Sequence, residues 1–448
     1  MWEGMGVAAY TGPFQRAQAE RLLWRAGFGP RKGEAEKLAA KGLEAAVHSL
    51  TRPGAERLQG KAARDSKGRA LAPADAWGHD HLWWLDRMVR TSRPLVERMT
   101  LVWHDWFATS LAGVGSQKLM LRQNATLRRL SLGSFDTLLR ELTKDPAMLL
   151  WLSGTENTKW SPNENYAREL MELFTLGAGN GYTERDVREQ ARALTGWDND
   201  WRSGVGSHNF RYERERHDGG TKRIFGKRGT YDWQDAVRLC LAHRGHPSFL
   251  VEKLWGYFVP TPPDAATRRG LEQLYGKSHA IRPVVEAILL HPALYTGPRM
   301  VKPPAVYTAG LLRGIGRGID SNDWAWLAGM AGQRLFMPPN VAGWDDDRWL
   351  DTATFRGRWW VANYVTQPHS LTDKQAASVP SQPEALVEDA LVFWGSPTIR
   401  PETRGALLEF ARRAMGDANQ SWKKRSYPVL VANALRQLVA TSPDLQTC

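Results

Sequence analysis

Cysteine is nearly absent: Cys240 and Cys448 are the only two in 448 residues. That scarcity excludes a disulfide framework and an all-cysteine zinc site. No apolar run reaches the roughly 18 residues that a membrane-spanning helix requires. Strand-like alternation is sparse, and no internal repeat is evident. The opening stretch, residues 1–10, has neither a basic head nor an apolar core and does not read as a signal peptide. The sequence as written is therefore expected to be cytoplasmic. Gly-x-Ser-x-Gly and His-Glu-x-x-His are both missing, which removes the nucleophile elbow and the zincin helix. Gly276-Lys277-Ser278 looks like the end of a phosphate loop. Gly270, however, lies one residue too far upstream, and the segment before it reads as helix.

What the chain does have is tryptophan and positive charge. There are 21 tryptophans, and Lys plus Arg total 60 against 47 acids, a formal net charge of +13. Trp83, Trp84, Trp103, Trp106, Trp359 and Trp360 are clustered. Indole rings bury much area in a core and also stack on sugars or bases in grooves. The basic residues are scattered, densest over 211–228 and at Lys423-Lys424-Arg425. No helix-turn-helix, zinc finger or RNA-binding signature accompanies them, so no nucleic-acid partner is expected. A 42% hydrophobic share places the chain among folded proteins.

Apolar residues recur at three-to-four spacing through most of the chain. The pattern predicts helices over 17–28, 32–50, 74–91, 94–111, 115–131 and 134–144. They resume at 162–176, 184–195, 231–243, 247–258, 264–275, 281–290, 302–315 and 322–332. The tail adds 383–394, 401–415 and 427–441. The fold class is all-α and multi-helical. The expected organisation is a main helical domain, 1–366, with a helical extension, 367–448, packed on it. Residues 198–230 break the pattern with many glycines and no helical face. Phe210 and Tyr212 alternate with charges there, as in a small β-hairpin.

Two helices carry explicit punctuation. Ser161 reads as a cap, Pro162 as the first helical residue and Glu164 as the partner in a capping box. Ala167, Leu170, Met171 and Phe174 share one face of this helix. Arg168, Glu169 and Glu172 line the other, with Glu164 at its edge. Thr183 caps the next helix, with Asp186 at its third position. Glu184, Arg188 and Arg192 then form one stripe, and Thr195-Gly196-Trp197 ends it. Glu164, Arg168 and Glu172 at i, i+4, i+8 make either a solvated ion ladder or a carboxylate stripe facing a cleft.

Three histidines stand beside carboxylates or helix ends: His104-Asp105, His217-Asp218 and His246-Pro247. An imidazole next to a carboxylate suits metal binding or acid–base work. The expected catalytic group is therefore Glu164, Arg168, Glu169, His104, His217 and Asp218. Lys222, Arg192 and Trp197 would bind an anionic substrate group. Glu164, Glu169, Glu172, His217 and Asp218 would hold a divalent cation.

Several segments in order resemble a bacterial family catalogued as domain of unknown function 1800. They are Leu22 to Gly29, Trp103-His104-Asp105-Trp106-Phe107, Asn163 to Gly177, Tyr182 to Val187 and Ala191 to Trp197. His217-Asp218 through Lys222 and Gly226, Lys253-Leu254-Trp255, Phe336 to Trp344 and Ser442-Pro443-Asp444 complete the set. The resemblance covers about residues 18–448. One departure is Trp106, where the family often has a second histidine. Members are often exported, beside a phosphatase- or sulfatase-like family catalogued 1501. The resemblance thus implies a protein partner and export in the folded state. Two readings follow. One is a metal-assisted hydrolase or acid–base enzyme acting on an anionic or polymeric substrate. The other is a non-catalytic helical protein that binds the 1501 partner or a wall polymer. A plain scaffold would not need a long His-Asp loop after two capped helices, which favours the enzyme.

Overall fold

A computed structural model describes residues 6–416 and 421–448. The side chains of 421–425 fall outside the described residues, and with them the basic run at Lys423. The architecture is helical, and the strands among the described residues form two small antiparallel hairpins. β1 (Trp197–Arg202) pairs with β2 (Gly206–Tyr212), with a bulge between Asp198 and Asp200. β3 (Lys222–Ile224) pairs with β4 (Lys227–Gly229). The irregular 198–230 stretch is thus two hairpins rather than one. No helix among the described residues is long and apolar enough to cross a membrane.

Two apolar cores share a central helix. The first gathers Leu22, Met99, Trp103, Trp106, Leu170, Phe174, Leu250 and Ile288. The second joins Trp24, Trp84, Leu101, Tyr307, Trp324, Val361, Leu391 and Leu435. Apolar residues of 386–411 and 431–448 therefore share one core with those of 305–365. The helix Pro94–Trp106 feeds both cores. Every residue in it is buried except Asp105, which is half-buried. Its proline sits at the first helical position, where the missing N–H costs nothing. Five tryptophans, Trp84, Trp103, Trp106, Trp255 and Trp324, are fully buried core residues. Trp359 and Trp360 are exposed instead.

The helix starting near Asn163 differs from its expected form. It begins at Asn165 rather than Pro162, and Ser161 does not cap it. Asn163 Oδ1 accepts the Asn165 N–H at 2.9 Å, so the turn is made by an asparagine two residues later. From Leu170 to Leu176 the helix is wound as a π-helix. Wide winding is rare, and it leaves carbonyls to be met from outside. Lys253 Nζ donates to the Leu173 carbonyl at 3.0 Å, Trp106 Nε1 to Phe174 at 3.2 Å, and His246 Nδ1 to Thr175 at 2.9 Å. The next helix, Glu184–Ala193, has the expected capping box from Thr183 and Asp186. The longest helix with no counterpart among the expected ones is Thr352–Thr366. Phe355, Trp359 and Trp360 lie exposed on it, while Val361, Ala362 and Val365 are buried. Apolar residues on both faces blur the periodicity that would reveal it.

Candidate functional site

The expected site residues fall into two separate groups along the Glu184–Ala193 helix. At its start, Arg168 clasps Glu184 with 2.9 and 2.7 Å bonds and reaches Glu164 Oε2 at 3.2 Å. All three side chains are more than a third exposed. Glu169 and Glu172 lie beside this triad. Burial and the Glu172 charge push the Glu169 carboxyl above its ordinary range, against the pull of Arg168.

Eight residues further along, about 12 Å at 1.5 Å per residue, Arg192 anchors the second group. Its Nε donates to Asp218 Oδ2 at 2.7 Å, and Nη1 donates to both Glu189 oxygens at 3.1 and 3.0 Å. The loop after β2 folds back on the helix end at Thr195. Asp218 N–H donates to Thr195 Oγ1 at 2.8 Å, and His217 Nδ1 lies 3.0 Å from the Thr195 carbonyl. Burial lowers the His217 imidazole, so it is held neutral. Lys222 is buried and donates to the Asp218 and Gly220 carbonyls. Trp197 is a packing residue, with Tyr212 and Trp233 rings 5.4 and 5.5 Å away.

These geometries correct the expected constellation. No hydrogen bond or ion pair among the described residues joins His217 or Asp218 to Glu164, Glu169 or Glu172. No group of three or more His, Cys, Asp and Glu side chains among the described residues is placed to hold a metal ion. The structure does not bring the five expected ligands together as one such group. Arg168 and Arg192 already have carboxylate partners, and Lys222 donates to two backbone carbonyls. His104 is remote from both groups in its bonding. It stands in an aromatic cage, with Trp84, Phe336 and Trp344 rings 5.2, 5.6 and 5.6 Å away. Burial alone drives its imidazole down to about 3, and Nε2 has no partner.

A different cluster forms where Asp105, rather than His104, points. The cleft is lined by Arg98, Val102, Asp105, Tyr257, Asp346 and Trp349, among others. Arg98, Val102 and Asp105 follow i, i+4, i+7 spacing and share one helix face. Asp105 Oδ2 accepts the Tyr257 hydroxyl at 2.7 Å, and Oδ1 accepts the Trp344 N–H at 2.9 Å. Trp344 reaches that close because residue 343 is glycine with φ +94°. A Cβ there would stand 2.4 Å from Asp105 Oδ1. Three segments that looked unrelated in sequence thus meet at one carboxylate: Trp103–Phe107, the helix His246–Gly256 with Tyr257 after it, and Phe336–Trp344.

The electrostatics of this cleft are strongly perturbed. Asp346 is exposed at the mouth; desolvation of its inward side and the Asp105 charge raise its carboxyl to about 7. Burial also raises Asp105, opposed by its bonds to Trp344 and Tyr257 and by the Lys253 and Arg98 charges. Arg98 is buried, and its Nε has no partner. Burial lowers the Lys253 ammonium to about 8. Lys253 lies 4.4 Å over the Trp106 ring while it caps the π-helix. The cleft holds about 20 Å³ of water-accessible space, enough for one water or one small group.

Sequence reasoning missed Arg98, Tyr257 and Asp346, and it weighted His104 over its neighbour. The signals in hand were Asp105 inside an apolar helix and the acidic run Asp345-Asp346-Asp347 just after Gly343-Trp344.

A family model described as a protein of unknown function, DUF1800, matches residues 21–447. The chain belongs to that family. No curated protein and no solved structure matches it.

Proposed function

We propose that this DUF1800 protein is an acid–base enzyme, a hydrolase in the simplest form, working at the Asp105–Asp346 cleft. The observation that carries the reading is two carboxyl groups sharing a water-sized cleft with Tyr257 and a buried, unpaired Arg98. Like-charged carboxyls that share a site are driven to hold a proton between them. A carboxyl that titrates near 7 both takes and returns a proton at neutral pH, which is the requirement for general catalysis. Asp346, at the mouth, is the proton-transfer group. Asp105 sets the charge beside it and is itself held by Tyr257 and Trp344. Arg98 stabilises negative charge that develops on an oxygen entering the cleft. The space admits one water, with the substrate's reacting end at the mouth, which suits a polymer lying across the opening better than an enclosed small molecule.

The test has two readouts. Carboxyl-detected NMR should place the Asp346 titration near pH 7 and move it clearly downward in Asp105→Asn. A panel of aryl ester, phosphate and glycoside substrates should show turnover that Asp346→Asn abolishes while the fold is kept. An ordinary Asp346 titration, together with turnover indifferent to Asp346→Asn, would refute the reading.

A second reading, the docking protein, rests on other residues. Trp77, Trp160, Trp201 and Trp326 are 60–71% exposed. Exposed indoles on a basic protein suit a partner surface. Co-purification of a co-expressed 1501-family protein, lost on Trp326→Ser, would support it. Retention of the partner by that variant and by the Trp77, Trp160 and Trp201 serine variants would refute it.

A further inference from the structure

Of the cations expected to bind substrate, Arg192 is held by Asp218 and Glu189 and Lys222 by backbone carbonyls, whereas two others, Arg93 and Arg129, are held loosely or not at all. A groove of about 660 Å³ runs between the helices His79–Arg90, Pro94–Trp106 and Gln117–Leu130. Its apolar wall is Trp83, Val96, Leu121 and Ala125, and four arginines line the rest: Arg87, Arg93, Arg128 and Arg129.

The four are not equivalent. Glu97 lies fully buried beneath the groove. It accepts from Arg87 Nε at 3.0 Å, from Arg128 Nε and Nη2 at 2.5 and 3.0 Å, and from Trp84 Nε1 at 3.2 Å. Arg87 also pairs with Glu56 at 2.5 Å. Those two arginines are structural, and their guanidinium groups lie 5.4 and 5.5 Å from the Trp83 ring centre. Arg93 has no acidic partner among the described residues, and its Nε is shut off from water without an acceptor. Arg129 has only Glu141 at 4.0 Å, and its side chain is 60% exposed. Two guanidinium forks therefore face a groove with an apolar wall; Arg93 has no carboxylate partner among the described residues, and Arg129 has only Glu141, which Lys144 holds more closely at 2.8 Å.

We propose that this groove binds a small oxyanion carried on a compact ring or apolar body. Guanidinium forks match phosphate, sulfate and carboxylate oxygens in pairs. The volume lies within the range of small-molecule sites. The body packs on Val96, Leu121 and Ala125, and the anionic end meets Arg93 and Arg129. Val96 and Arg98 are two residues apart on one helix, about 160° around its axis. The groove and the Asp105–Asp346 cleft are thus on opposite faces, and the proposal does not depend on the acid–base reading.

Calorimetry on the full chain tests it, with phenyl phosphate and benzoate as probes, inorganic phosphate and phenol as the halves of the first, and formate as the anionic half of the second. At least one probe should bind saturably and at least tenfold more tightly than either of its halves. Arg93→Ala should weaken that binding at least tenfold, with Arg93→Lys intermediate. Ala125→Trp fills the groove without changing charge and should abolish binding. Asp346→Asn should leave binding unchanged. The proposal is overturned if neither probe saturates. It is equally overturned if binding survives both Arg93→Ala and Ala125→Trp in folded protein, or if inorganic phosphate binds as tightly as phenyl phosphate.

Discussion

Gly343→Ala tests whether the Asp105 carboxylate is the meeting point of the three segments. The new Cβ would lie 2.4 Å from Asp105 Oδ1 and 2.9 Å from the Asp105 carbonyl oxygen. Neither atom has room to retreat. The carbonyl belongs to a buried helix, and the carboxylate is held by Tyr257 and by Trp344. The turn at 343 must move instead, and the Trp344 N–H leaves Asp105. A left-handed residue other than glycine costs about 1–2 kcal/mol. A lost hydrogen bond to a charged group costs about 1.5–3 kcal/mol more. The sum is about 3–5 kcal/mol. Gly226→Ala isolates the first part. Gly226 has φ +76° in the β3–β4 turn, and nothing lies within 4 Å of its added Cβ. Its cost is then about 1–2 kcal/mol. Urea unfolding followed by tryptophan fluorescence measures both variants. The Asp105 carboxyl should also titrate higher in Gly343→Ala, because the Trp344 N–H is its principal lowering contact. Equal costs for the two variants, with no change at Asp105, would refute the convergence.

Three further outcomes follow from the same geometry. Asp346 titrates at about 7 when folded against an ordinary 3.8, so the folded state holds the proton more tightly. Its stabilisation is full below about pH 4 and is lost as pH rises through about 7; Asp346→Asn should flatten that slope in urea midpoints, and an unchanged slope would contradict the assignment. His104 runs the other way: its imidazole sits near 3 when folded against 6.5, so its stabilisation is full above about pH 6.5 and is lost as pH falls towards 3. His104→Phe should fit the aromatic cage and reduce acid sensitivity between pH 6 and 4, whereas a sharper acid transition would show that the imidazole is charged in the fold. Arg168→Ala should cost less than about 1 kcal/mol because its triad is exposed, while Glu97→Ala should cost about 3–5 kcal/mol by stranding Arg87 and Arg128 beside a buried gap. Comparable thermal shifts for those two would reverse this ranking.

The legible parts of the sequence were those in which local spacing carries the information. The Thr183–Asp186 capping box and the buried face Ala167, Leu170, Met171 and Phe174 were read from periodicity, and all are present. The Asn163–Gly177 segment was recognised as distinctive, but its π-winding was not. Its carbonyls are met by donors from Trp106, His246 and Lys253, which lie 68, 71 and 80 residues away from them in sequence. The carboxylate stripe was the weak inference. Spacing places Glu164, Arg168 and Glu172 on one face, but it does not say whether that face meets a cleft or water, and the Arg168 triad is exposed.

The sequence by itself determined the helical class, the family, the place of the hairpin region and the apolar faces. These follow from local period and from motifs in order. Tertiary structure alone decided which carboxylates share a cleft and which cations keep a free charge. Asp105 and Asp346 are 241 residues apart, and their protonation is set by burial and mutual approach. Neither quantity has a local signature in the chain. The same holds for Arg93 and Arg128. Each is one arginine among many in sequence, and only the packing around Glu97 neutralises one and leaves the other without a partner.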